Sequence, residues 1–73
     1  MKDKIQISLA AARVNAGMTQ QNVADKMHIS KQTIINWEKG KVSPGIPQIE
    51  MLSRLYDMPT DNIFFNRKST LSR

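Results

Sequence analysis

Turn signals cut this 73-residue sequence into short helical pieces, and that punctuation constrains the fold more than any other feature. Ser8 is placed to cap a first helix reaching about Ala16, with Leu9, Ala12 and Ala16 on one face and Gly17 as the stop. Thr19 caps a second helix over 20–27, where Val23, Ala24 and Met27 follow the three-and-four spacing of a buried stripe. Ser30 caps a third, which ends at Gly40, a residue suited to the left-handed backbone just past a helix. After the loop Val42-Ser43-Pro44-Gly45, a fourth helix runs from about Ile46 to Tyr56 and buries Ile49, Leu52, Leu55 and Tyr56. Pro47 is tolerable in its first turn. A short last turn from Pro59 or Thr60 delivers Ile63 and Phe64 to the core. Five short helices with little strand predict an all-α compact bundle. Ile5 and Ile7 alternate about Gln6, so 5–7 reads as extended and is a candidate to pair with 63–65.

A chain of this size makes one small domain, near the lower limit for a core that folds unaided. It has no cysteine, hence no disulfide and no thiolate metal site, and His28 is its single histidine. Asp25, Glu38, Glu50, Asp57 and Asp61 are scattered over separate elements, with neither metal-ligand spacing nor a clustered acid–base pair. No phosphate-cradling glycine motif or nucleophile elbow occurs, so no cofactor, metal or enzymatic activity is expected. Met18, Met27, Met51 and Met58 fall at or beside buried positions and read as core filler. No apolar run suffices for a signal peptide or a bilayer span, so the expectation is a cytoplasmic protein with no membrane partner.

The net charge of +5 suggests an anionic partner, but its distribution tempers the inference. Residues 5–66 carry six basic and five acidic side chains, a balance of +1. Arg67, Lys68 and Arg73 make 67–73 a basic tail that reads as disordered, appended to a domain over 1–66. Within the domain, Lys31, Lys39 and Lys41 cluster around the third helix.

That helix lies within "ISKQTIINWEKGK" and sorts into two sides at about 100° per residue. Ile34, Trp37 and Glu38 fall together and face the core. Gln32 and Asn36 fall opposite, with Lys31, Thr33 and Ile35 at the margins. Amides, an ammonium and an aliphatic group suit base edges in a DNA major groove: Gln and Asn pair with adenine, Lys with guanine acceptors, an aliphatic chain with a thymine methyl. The helix N-terminus and the Ser30 and Thr33 hydroxyls suit phosphate oxygens. A polar surface with one stray isoleucine is the alternative for the helix taken alone.

The helix before it weighs against that alternative. The two are joined by a short turn around His28-Ile29-Ser30, a helix-turn-helix arrangement over about 19–39 with small Ala24 at the close crossing. "TQQNVADKMHISKQTIINWEKG", preceded by "AGM" and followed by "IPQIEMLSRLYDMPTDNIFF", resembles the Cro and repressor-type helix-turn-helix family, also called XRE, over roughly residues 8–65. The resemblance implies a lambda-repressor-like DNA-binding domain acting as a transcriptional regulator, a repressor of phage or mobile-element type. It implies base contacts from Lys31, Gln32 and Asn36, with Thr33 and Ile35 secondary, and phosphate contacts from Gln20, Ser30, Lys41 and Ser43. It also pairs Arg13 with Glu38 as a structural link, and points to a homodimer on a palindromic or pseudo-palindromic operator. The expected dimer contact involves helix four and the Phe64-Phe65 end, with Phe65 the exposed member. His28 and Asp57 stand where the family commonly has Gly, and Pro59 where it often has a capping Ser. The rival reading is a protein-interaction module such as an antitoxin, whose Ile35 face and tail meet protein instead of DNA.

Overall fold

A computed structural model describes residues 5–65, so the basic tail over 67–73 lies outside the described residues. The order is β1 (Ile7–Ser8), α1 (Leu9–Asn15), α2 (Gln20–Met27), α3 (Lys31–Lys39), α4 (Ile46–Tyr56), a 3₁₀ turn (Thr60–Asn62) and β2 (Ile63–Phe64). Side-chain hydroxyls open the first three helices. Ser8 Oγ accepts from the Ala11 N–H at 3.0 Å and Ser30 Oγ from the Thr33 N–H at 3.1 Å. Thr19 and Asn22 form a reciprocal capping box, both bonds 3.0 Å long. Such caps are worth about 1 kcal/mol each, a large share for helices this short.

Left-handed residues close α2, α3 and α4. Gly40 (φ 79°) ends α3, His28 (φ 59°) ends α2 and Asp57 (φ 51°) ends α4. His28 and Asp57 therefore do take the conformation for which glycine is the usual choice, one that such polar side chains adopt more readily than most. The expected fifth helix is a single 3₁₀ turn after Pro59, so the bundle has four α-helices among the described residues. Pro59 has no hydroxyl to cap it, and three residues cannot complete an α-helical turn of bonds. The extended N-terminal segment does pair with the C-terminal one: β1 and β2 are parallel, Ile7 opposite Ile63 and Ser8 opposite Phe64.

The core is one cluster. Val23, Ala24, Ile34, Leu52 and Ile63 are fully buried, and Leu9, Ala12, Met27, Trp37 and Tyr56 complete it. With no side chain beyond Cβ, Ala24 lets α2 and α3 cross closely, and its carbonyl accepts from the Ile29 N–H at 3.0 Å to fold the turn. Two expected core residues face outward. Phe64 is 53 % exposed while Phe65 packs against the core, because strand alternation turns Ile63 and Phe65 inward and Phe64 out. Met51 is 40 % exposed on the outer face of α4; Met27 is buried, and Met18 and Met58 are partly buried against the core. Leu55 is likewise only partly buried.

The polar link beneath α3 is an ion pair with added donors. Arg13 donates from Nε to Glu38 Oε2 at 2.7 Å and from Nη2 to Oε1 at 3.4 Å, and its Nη1 donates to the Met18 carbonyl at 2.9 Å. Gln20 Nε2 donates to Glu38 Oε1 at 2.9 Å. The Arg13 and Glu38 side chains are 14 % and 6 % exposed, so this is a mostly desolvated cluster joining α1, α2 and α3. Tyr56 is also buried, and its hydroxyl has no hydrogen-bond partner among the described residues. Burial, and secondly the Glu38 charge, hold its phenol well above the ordinary value of 10.0, with Arg13 opposing.

Two residues of this layout have opposite consequences for stability. Glu38→Ala strands a nearly buried guanidinium and removes an acceptor from Gln20, and should cost about 3–5 kcal/mol in urea unfolding. A loss below about 0.5 kcal/mol would show the link to be ornamental. Tyr56→Phe removes only an unbonded buried hydroxyl, so unfolding at pH 7 should show it neutral or up to about 1–2 kcal/mol more stable. The native state keeps the phenol proton where the unfolded chain releases it, so the wild-type stability is complete below pH 10.0 and falls as pH climbs above it. The phenylalanine variant should lose that part of the alkaline decline.

Candidate nucleic-acid interface

Ile34 and Trp37 turn one side of α3 into the core. The opposite flank then projects outward by geometry alone: Lys31 and Gln32 are exposed, and Thr33, Ile35 and Asn36 are partly exposed. All five expected base-reading residues therefore share one surface. Gln32 Nε2 donates to Asn36 Oδ1 at 3.0 Å, one helical turn along. This bond orders the two amides without exhausting them. Gln32 keeps its carbonyl acceptor and a second N–H, and Asn36 keeps two N–H donors. Together they present the adjacent donor and acceptor that match an adenine edge.

The expected phosphate-binding residues border this flank unequally. Ser30 Oγ lies 2.9 Å from Thr33 Oγ1, so both hydroxyls sit at the opening of α3. Lys41 and Ser43 are exposed in the segment beyond Gly40. That segment is anchored at the helix end, where the Asn36 carbonyl accepts from the Lys41 N–H at 2.9 Å and the Val42 N–H at 3.5 Å. Gln20 differs from the rest: it is half-buried at the start of α2 and its amide nitrogen is engaged by Glu38. Its place in the sequence suggests only an outward partner, since nothing in linear spacing puts residue 20 beside residue 38.

Charge is divided between two parts of the chain. Between 28 and 43 the cations Lys31, Lys39 and Lys41 face a single carboxylate, Glu38, which is turned inward to Arg13. Between 44 and 65 the balance is reversed, with Arg54 against Glu50, Asp57 and Asp61. α3 packs on α2 and α1, whereas α4 packs on α1 and the 3₁₀ turn, and among the described residues the outward flank of α3 stays exposed at Lys31 and Gln32 and partly exposed at Asn36. Among the described residues no three His, Cys, Asp or Glu side chains converge on a metal position. No described helix is long and apolar enough to cross a membrane.

Comparison with known proteins agrees with this geometry. The helix-turn-helix family model matches residues 9–63. The chain is 36 % identical over 53 residues to the HTH-type transcriptional regulator ImmR of Bacillus subtilis, covering 73 % of this chain and 42 % of that one. It is 34 % identical over 47 residues to the cryptic phage CTXphi transcriptional repressor RstR of Vibrio cholerae, covering 64 % of this chain and 42 % of that one. It is 26 % identical over 55 residues to the HTH-type transcriptional activator BcrR of Enterococcus faecalis, covering 75 % of this chain and 27 % of that one. The chain thus spans less than half the length of these three relatives. With its two crossed helices, its short turn and a family match over most of its length, the chain belongs to the XRE-type helix-turn-helix family.

Proposed function

We propose that this chain binds double-stranded DNA in a sequence-specific manner and regulates transcription as a repressor of phage or mobile-element type. The observation that carries the reading is the outward flank of α3, with Lys31, Gln32 and Asn36 facing away from the described core and the Trp37 indole on the reverse. α3 enters the major groove, where Gln32 and Asn36 read bases and Lys31, Thr33 and Ile35 take neighbouring contacts. Ser30, Lys41 and Ser43 meet phosphates beside it, and Gln20 meets one through the part of its amide that Glu38 does not use. The phage repressor RstR and the regulator ImmR support the assignment by similarity; the activator BcrR shows that relatives of this module also act in the other direction.

One module of this size buries little DNA surface, so useful affinity requires two copies on half-sites about one helical turn apart. The operator is accordingly palindromic or pseudo-palindromic and the regulator a homodimer. Selection of preferred duplexes from a random pool should return such a repeat. On that duplex Gln32→Ala should cost roughly 1–3 kcal/mol and relax preference at one position, whereas Lys41→Ala should weaken every duplex alike and flatten the salt slope by about one unit. A pool that yields no preferred duplex would overturn the reading in favour of a protein-interaction module. A uniform loss for Gln32→Ala would remove it as a reader.

A further inference from the structure

Gln32 and Asn36 are not equivalent readers. Each residue type matches adenine when its amide is free, since adenine offers one amino donor and one ring acceptor. Here one atom of each amide is already engaged: Gln32 Nε2 donates to Asn36 Oδ1 at 3.0 Å. Four residues of helix rise, about 6 Å, separate the two backbones, against about 3.4 Å between base pairs. The two amides are thus spaced to address different pairs. Resting on the reading of α3 as the helix that enters the major groove, we propose that they form one polarised reader, in which Gln32 selects adenine and Asn36 selects guanine.

The polarity follows from which atoms the bond consumes. Gln32 spends one N–H and keeps Oε1 with the second N–H beside it, the acceptor and donor that an adenine edge requires. Asn36 spends a lone pair of Oδ1 and keeps both N–H groups, with the Gln32 side chain standing against its carbonyl. What Asn36 turns outward is therefore rich in donors. Guanine suits it, because N7 and O6 are both acceptors, whereas adenine would set its own amino donor against those N–H groups. Thymine offers O4 alone, one acceptor for two donors, and is the poorer match. Burial of Ile34 and Trp37 on the reverse of α3 keeps both amides on the outward flank.

Selection of duplexes from a random pool, run with the full chain and two variants, tests the polarity. The wild type should return adenine at one position of each half-site and guanine at another. Asn36→Asp keeps an oxygen for Gln32 Nε2 but replaces both N–H donors with an acceptor. The guanine position should then turn to a base with an exposed amino group, cytosine or adenine, by at least about tenfold. Repulsion between the new carboxylate and phosphates weakens all duplexes alike and cancels in that ratio. Gln32→Ala frees Asn36 Oδ1, so besides losing selectivity at its own position it should move the Asn36 position from guanine toward adenine. Two independent readers would leave that second position unchanged, which would overturn the proposal. Circular dichroism should show both variants folded, and a measurement on the free wild-type chain needs neither. By nuclear magnetic resonance, the Gln32 Nε2 proton facing Asn36 should exchange with water more slowly than either Asn36 Nδ2 proton, and the opposite order would overturn the polarity without any DNA. A wild type that selects adenine at both positions refutes this inference alone. A wild type that selects no duplex refutes the proposed function and the polarised reader with it.

Discussion

Glu38 lies in the last turn of α3, where the helix dipole disfavours a carboxylate, yet it is almost wholly removed from water. It is tolerated because three donors converge on it: two from Arg13 on α1 and one from Gln20 at the start of α2. A charge buried this way is costly to leave unpaired, so the cluster links the three helices at the end of α3. Trp37 and Ile34 set which side of α3 is inward, and Glu38 sets how the end of the helix sits against its neighbours. The outward flank of amides and ammonium groups is a consequence of those inward contacts.

The link also changes the reading of Gln20. A residue at the N-terminus of α2 is well placed to meet a phosphate, but here its amide nitrogen is committed to the carboxylate that positions the recognition helix. A phosphate contact through the same side chain would therefore couple the grip on the DNA backbone to the placement of α3. Lys41 is coupled in another way. Its N–H is bonded to the Asn36 carbonyl, so the lysine proposed to meet a phosphate and the asparagine proposed to face bases are tied by one backbone hydrogen bond.

Much of this is legible in the sequence because the signals are local. Ser8, Thr19 and Ser30 are side-chain caps, Gly40 needs its left-handed backbone, and the periodicity of Ile34 and Trp37 assigns the two sides of α3. The Arg13–Glu38 pair rests on family resemblance; its physical basis, a carboxylate at the wrong end of a dipole, is visible as well. All but one of the misses are non-local. Phe64 and Phe65 exchange roles because their segment is a strand paired with residues 7–8, and alternation in a two-residue strand depends on a partner far away in sequence. Met51 reads as inward for its apolarity, although its angular position on α4 lies with Glu50 and Arg54. Gln20 escapes notice as a Glu38 partner because no spacing rule joins those two residues.

The central claim is that bases meet the Gln32–Asn36 flank while the Arg13–Glu38 cluster stays intact behind it. Nuclear magnetic resonance of the labelled chain titrated with a duplex tests it directly, since side-chain amides and the arginine Nε–H report separately. The account predicts large shifts or new contacts to DNA protons at the Gln32 and Asn36 amides, with the Arg13 Nε–H and the Trp37 indole nearly unmoved. Shifts concentrated on Ile46, Met51 and Phe64, with the two amides silent, would contradict it.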